Sequence, residues 1–298
     1  MSEEWSKVYI YGPEHAIFVR NYIENIRETK SKPHYTDFSN VDILHPCGHE
    51  GLQNFLSTVN LKLGSHILDI GCGLGGSCRY LTDIGYKATG IDALSHYIDL
   101  ANEISEVVGM KNDIEFRTAN IVESSISGNY DAVLFIGVIM NIISDIPAAR
   151  AFECLKSGGV VYLEEYYLAK KSPLTEEEQE FMHDFHKLPY RTKDQFYTMF
   201  QSAGFEIQEI EEFSVKWSEY AWNRSERILR KYINNPDYTN DEVRLYGTIS
   251  PRMLAHMEHY SQEELIAKFP LTCQRIGADY VFKEEKLVGV IRLIAKKL

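Results

Sequence analysis

Short apolar runs recur along this chain, each followed by a stretch with helical spacing. Ile67-Leu68-Asp69-Ile70, Ala88-Thr89-Gly90-Ile91, Ile114 to Thr118 and Tyr130 to Ile136 read as buried strands. Val160 to Tyr166 reads as a fifth strand, Phe205 to Phe213 as a sixth and Lys286 to Ile294 as the last. Polar and glycine turns such as Ser127-Gly128-Asn129 and Ser157-Gly158-Gly159 separate them. Gly48 to Val59 predicts a helix leading into the first strand. Thr175 with Glu178, Thr192 with Gln195 and Ser261 with Glu264 have the spacing of capping boxes that open helices, and Gly204 fits a helix C-cap. Strands alternating with helices predict an α/β chain with a doubly wound, mostly parallel sheet. Between Ser214 and Asp279 lies material that such a core does not need, rich in Trp217, Tyr220, Trp222, Tyr232, Tyr238, Tyr246 and Tyr260. The expected layout is an N-terminal segment at 1–51, a core at 52–213, a mostly helical cap insertion at 214–279 and a final core strand at 280–298.

Composition narrows the function. The 298 residues carry a net charge of −12, from 31 basic and 43 acidic side chains. Nucleic acid and anionic membrane surfaces both need basic protein, so neither is the expected partner. No apolar run is long enough to span a bilayer. Met1-Ser2-Glu3-Glu4-Trp5 lacks the basic and apolar regions of a secretory signal, and the five scattered cysteines form no Cys-x-x-Cys. Reduced thiols and a cytoplasmic location are therefore expected. His183 and His186 share a helix face but have no further ligands at metal spacing, so no metal is expected.

The candidate chemistry sits after the first strand. Asp69-Ile70-Gly71-Cys72-Gly73-Leu74-Gly75 places glycines at alternate positions, two residues after an acid. Such a turn lets a ligand approach backbone that any side chain would block. A second acid, Asp92, ends the second strand. Glycine turn and carboxylate at successive strand ends describe a nucleoside site. The dinucleotide fingerprint is G-x-G-x-x-G/A, whereas the glycines here stand at alternate positions behind an acid, D-x-G-x-G-x-G, and a nicotinamide dehydrogenase is the weakest rival.

The D-x-G-x-G-x-G pattern resembles the first motif of the class I methyltransferases that use S-adenosylmethionine (SAM) and release S-adenosylhomocysteine (SAH). The resemblance implies a Rossmann-like fold of seven strands, the last antiparallel. It places Asp69, Gly71, Gly73 and Gly75 at the methionine end of the cofactor. It assigns Asp92 to the ribose hydroxyls, with Ala93 beside it. Asn120 stands where the family has an acid that contacts the adenine amino group, and a carbonyl can accept that bond too. Ile121 would cover the adenine, and Ile136 and Gly137 would end the fourth strand near the methyl group.

Within that class, Leu68 to Leu81 and Thr89 to Ser95 resemble the first two motifs of amine methyltransferases of the phosphoethanolamine and sarcosine/dimethylglycine type. Tyr35, in Tyr35-Thr36-Asp37, matches the tyrosine of their tyrosine–histidine dyad, and Glu165-Tyr166 stands where they have Asp-Tyr. The N-terminal segment then corresponds to their substrate-covering segment. Two positions depart: Asn141 replaces the histidine, and Gly137 replaces the acid just beyond the fourth strand. Asparagine is no base at neutral pH, so the dyad mechanism does not carry over. Tyr35, Asn141, Glu165 and Tyr166 are the candidate catalytic residues.

The expected activity is methyl transfer from SAM to a small-molecule acceptor, at an amine nitrogen. Transfer to oxygen or carbon of a more apolar, sterol-like molecule is the alternative, as is a non-catalytic SAM-binding protein. The acceptor's identity and the oligomeric state are not legible in the sequence.

Overall fold

In a computed structural model of the chain, the described residues are 12–42, 48–186, 190–235, 241–255, 257, 259–277 and 285–298. Cys47, Tyr238 and the expected boundary at 279–280 lie outside them.

Helix α1 (Pro13–Thr29) starts with proline, where a missing N–H removes no helical bond. Its stripe Val19, Ile23 and Ile26 has helical spacing and packs with Phe38, Leu74, Leu100 and Ile104. Helix α2 (Gly48–Val59) precedes β1 (His66–Ile70). The alternation then runs α3 (Gly76–Asp83), β2 (Lys87–Asp92), α4 (Ser95–Val107), β3 (Ile114–Thr118), β4 (Tyr130–Ile136), α5 (Ile146–Cys154) and β5 (Leu155–Leu168). Helices α6 (Glu176–His186) and α7 (Lys193–Ser202), β6 (Phe205–Glu212), α8 (Ser214–Tyr232), α9 (Gln262–Lys268), α10 (Pro270–Ile276) and β7 (Val288–Lys297) complete it.

The seven strands form one sheet in the order β3-β2-β1-β4-β5-β7-β6. β1 pairs in parallel with β2 and β4, β2 with β3, and β4 with β5. The order turns outward in both directions from β1 and β4, and at such a switch point the C-terminal strand ends leave a crevice.

Two compact units result. The first comprises Met1–Glu165, Asp194–Ile210 and Arg292–Leu298; the second comprises Tyr166–Lys193 and Glu211–Ile291. Residues 166–193, expected within the core, thus group with the insertion. Within the second unit the Leu168 amide donates to Arg191 O and the Ala169 amide to Leu287 O.

In the first unit, α2 and α3 cover one sheet face, where Leu52, Phe55, Leu81, Ala132, Leu134 and Tyr162 form a core. In the second, Trp222 packs with Ala255, Met257, Leu265, Phe269 and Cys273. Glu226 accepts the Leu271 and Thr272 amides at 3.0 Å, capping the first turn of α10. The expected capping boxes at Thr175/Glu178 and Ser261/Glu264 are formed. Gly204 closes α7 with a φ of +99°. Cys72, Cys78, Cys154 and Cys273 are buried free thiols.

Candidate active site

The turn after β1 is held by glycines in left-handed backbone: Gly71 at φ +74°, Gly73 at +52° and Gly75 at +81°. Other residues adopt this conformation only at a cost. The Gly71 and Cys72 amides donate to Ile91 O at 2.7 and 3.0 Å, which ties the turn to β2. A Cβ on Gly71 would sit 2.4 Å from a methyl of Val138, whereas one on Gly73 would meet nothing within 4 Å. The middle of the turn therefore presents bare backbone to open space, as a close-lying ligand requires.

A cleft opens at the strand ends. Ile70 and Gly71 wall it after β1, Asp92 to Leu94 after β2, Asn120 and Ile121 after β3, and Gly137, Val138 and Asn141 after β4. Asp92 Oδ2 accepts the Gly73 amide at 3.0 Å, and Oδ1 accepts the Leu94 amide at 2.9 Å. Burial raises the Asp92 carboxyl, and these amides oppose the shift. A carboxylate offers about four lone-pair sites, so capacity remains for hydroxyl donors. The residues fit a nucleoside cofactor: bare turn backbone, a carboxylate acceptor, and the apolar Ile121 at the far wall.

Several expected site residues lie elsewhere. Asp69 is 4% exposed beneath the turn, with Cys78 Sγ 3.7 Å from Oδ2. It is not on the cleft wall. Desolvation, reinforced by the charge of Asp92, raises its pKa to about 7. Asn120 does line the cleft, but its Oδ1 accepts the Val122 amide at 3.0 Å, so the carbonyl expected to meet adenine closes a local turn. Ile136 packs against the core, because strand alternation gives the wall position to Gly137. Ala93 and Ile121 line the cleft.

The catalytic candidates separate in the same way. Tyr35 opens a one-turn 3-10 helix (Tyr35–Phe38) capped by His34 and Asp37. Its ring is buried, 5.9 Å from that of His49, and burial, with the charge of Asp83 adding to it, raises the phenol's pKa. Asp83 is the last residue of α3, about 10 Å along the helix axis from the glycine turn. Tyr35 packs in the core of the first unit and is not among the residues that line the cleft. Tyr166 is buried in the second unit, its ring 5.0 Å from and nearly perpendicular to Trp217.

The adjacent carboxylates Glu164 and Glu165 face opposite sides of β5, as strand geometry demands. Glu164 accepts the Tyr162 hydroxyl at 2.6 Å, and a Cβ on Gly51 would lie 2.7 Å from the same oxygen. Glu165, 0% exposed, accepts the amides of Val138 at 2.8 Å and Met140 at 3.2 Å. Neither lines the cleft. Asn141 does. Its Nδ2 donates to Gly137 O at 3.4 Å, and its Oδ1 is buried with no hydrogen-bond partner among the described residues.

Arg79 is a site-supporting residue that the sequence reading missed. Its fully buried Nη2 donates to Asp42 Oδ2 at 2.8 Å and to Leu74 O, inside the glycine turn, at 2.5 Å. Its Nη1 donates to Ser105 Oγ at 3.1 Å. The available signal was an arginine on the helix face that starts at Gly76, three residues earlier, where an apolar residue is the norm.

A family model described as a methyltransferase domain matches residues 47–210, more than half of the chain. Phosphoethanolamine N-methyltransferase 3 of Arabidopsis thaliana is 32% identical over 130 residues, covering 42% of this chain and 26% of that protein. The chain thus spans about a quarter of the length of such plant relatives. The phosphoethanolamine N-methyltransferase of Plasmodium falciparum is 26% identical over 192 residues, covering 63% of this chain and 69% of that protein. A solved structure of Haemonchus contortus phosphoethanolamine N-methyltransferase 2 in complex with S-adenosyl-L-methionine shares the fold. Its TM-score is 0.65 at 18% identity, over 93% of this chain and 60% of that one. Geranyl diphosphate C-methyltransferase from Streptomyces coelicolor, in complex with S-adenosyl-L-homocysteine, shares it too, with a TM-score of 0.61 at 13% identity over 93% and 98% of the two chains. The chain belongs to the methyltransferase-domain family.

Proposed function

We propose that this methyltransferase binds SAM in the cleft between the glycine turn and Asn141 and methylates a small molecule at an amine nitrogen. The observation that carries the amine reading is Asn141 Oδ1, a buried acceptor without a partner among the described residues. A buried acceptor left unmade is costly, and an amine N–H entering the cleft would satisfy it.

Bound SAM would supply an electrophilic methyl on a sulfonium. Asp92 accepts ribose hydroxyls while keeping Gly73 and Leu94 in place. Ile121 covers the base. Asn141 accepts one N–H of the acceptor and so directs the nitrogen lone pair along one line, which is what an in-line displacement needs. Val138 and Ile142 on the same wall keep water out as the sulfonium charge disappears. Asp92 is the one ionisable residue among the described residues lining the cleft. The acceptor therefore arrives with its lone pair already free.

The test is incubation with methyl-labelled SAM and a panel of amines (phosphoethanolamine, sarcosine, dimethylglycine) alongside a metabolite extract, followed by mass spectrometry. An N-methylated product is expected. A product labelled on oxygen or carbon would overturn the amine assignment. Absence of transfer, with SAH binding measured in the same sample, would favour a SAM-binding protein without catalysis.

A further inference from the structure

We infer that Glu165 is a positioning residue that sets the cofactor-facing wall through the backbone of Val138 and Met140. The inference rests on the cofactor reading above. In the β4–β5 register Ile136 pairs with Glu164, so Glu165 lies one residue past the last strand pair and reaches over the end of β4. There the chain bends at Gly137, φ +66°, into a single 3-10 turn at Ile139–Asn141. The Val138 and Met140 amides have left the ladder, and buried amides need an acceptor. One oxygen of Glu165 serves both, at 2.8 and 3.2 Å.

What the turn carries makes this a functional matter. Val138 points its two methyls at Gly71, where a Cβ would fall 2.4 and 2.8 Å from them. The first glycine of the cofactor turn is thus seated against a side chain whose backbone Glu165 holds. Asn141, the last residue of the same turn, bears the unpartnered Oδ1. One carboxylate therefore fixes both the floor under the cofactor and the group assigned to the acceptor. A general base needs a lone pair aimed at its substrate. Asn141 lines the cleft, whereas Oε2 of Glu165 is enclosed and committed to two backbone donors.

Glu165→Gln and Glu165→Leu test the assignment. The glutamine carbonyl has two lone pairs and can bridge both amides, and leucine can bridge neither. SAH titration calorimetry is expected to show Gln within about threefold of the wild type and Leu weakened at least about tenfold, the size of one lost hydrogen bond of this kind. Hydrogen exchange is expected to speed up at Val138 and Met140 in the Leu variant while the amides of β1 stay protected. Wild-type affinity in the Leu variant would overturn the inference. So would a Gln variant as weak as Leu, because charge and not the amide bridge would then matter. If the Leu variant does not fold, the Gln affinity together with its exchange at the two amides decides. A wild-type chain that binds no SAH would defeat the cofactor reading instead, and amide exchange would then judge the strut alone.

Discussion

Asp69→Asn should abolish most of one pH-dependent loss of stability. The Asp69 carboxyl is 4% exposed and held near pKa 7 by burial, against about 3.9 for an exposed aspartate. The folded state therefore keeps a proton that the unfolded state releases. Its stabilising effect is complete below about pH 4 and is lost as the pH rises through about 7. At about 1.4 kcal/mol per unit, a shift of about three units amounts to ~4 kcal/mol across that window, an upper figure because burial relaxes in part. Asparagine is nearly isosteric and cannot ionise, so the difference between variant and wild type isolates this group. Asp42, raised to about 6, leaves a smaller slope of the same sign in both proteins. His15 and His49, lowered to about 4 by burial, act oppositely between about pH 4 and 6.5, and again in both. The assay is urea denaturation from pH 4.5 to 8, with SAH affinity measured at pH 7.5. The variant should gain on the wild type steadily with pH and bind SAH almost normally. Parallel stability curves would refute the buried, protonated carboxyl. A tenfold loss of SAH affinity would return Asp69 to the cofactor.

Asp92→Ala should weaken SAH binding by roughly 1–3 kcal/mol, through lost charge-assisted bonds; unchanged calorimetry would sink the placement of the ribose. Gly71→Ala meets both left-handed backbone and Val138 at 2.4 Å, so its melting temperature should fall and SAH affinity with it. Val138→Ala added to it should recover only the steric share. Arg79→Ala leaves Asp42 buried without its cation and should cost about 3–5 kcal/mol by denaturant unfolding. Replacing both partners by apolar residues should recover most of that cost, and a double variant as unstable as the single one would contradict the pairing.

The strands and the glycine turn are legible because strands buried on both faces read as unbroken apolar runs and left-handed turns call for glycine. Six strands lie within three residues of the expected runs, whereas β5 begins at Leu155 and takes in Ser157-Gly158-Gly159, expected to precede it. Asp92, Ala93 and Ile121 were legible for the same reason, since they follow strand ends. Side-chain direction was not. Asp69 and Asp92 both close strands, yet one points beneath the turn and the other into the cleft. Glu165 looked like an acid at a strand end, and only the bend at Gly137 shows that backbone amides consume it. Tyr35 matches a motif by type and order, but its ring packs beside His49 of α2, which in turn stacks on Tyr80 of α3. Residues 166–193 were assigned by chain order, and their pairing with Leu287 is a contact over more than a hundred residues.

The departures at Gly137 and Asn141 and the burial of Tyr35 amount to one change. The family resemblance has an acid at 137, but a φ of +66° disfavours any side chain there. The nearest carboxylate, Glu165, holds the wall from behind. Asn141 accepts a proton donor but takes no proton. Tyr35, the remaining member of the dyad, is buried in the core, and burial raises its phenol's pKa. Among the described residues lining the cleft, the one carboxylate, Asp92, is held by the Gly73 and Leu94 amides, and none is assigned to deprotonate an ammonium. The rate should then follow the ionisation of the acceptor and not of the protein. Across a series of amines of different pKa, the midpoint of kcat/KM against pH should move with the amine, roughly unit for unit. A midpoint that stays fixed while the amine changes would reveal an enzymic base, and the wall as described would be the wrong place to look for it.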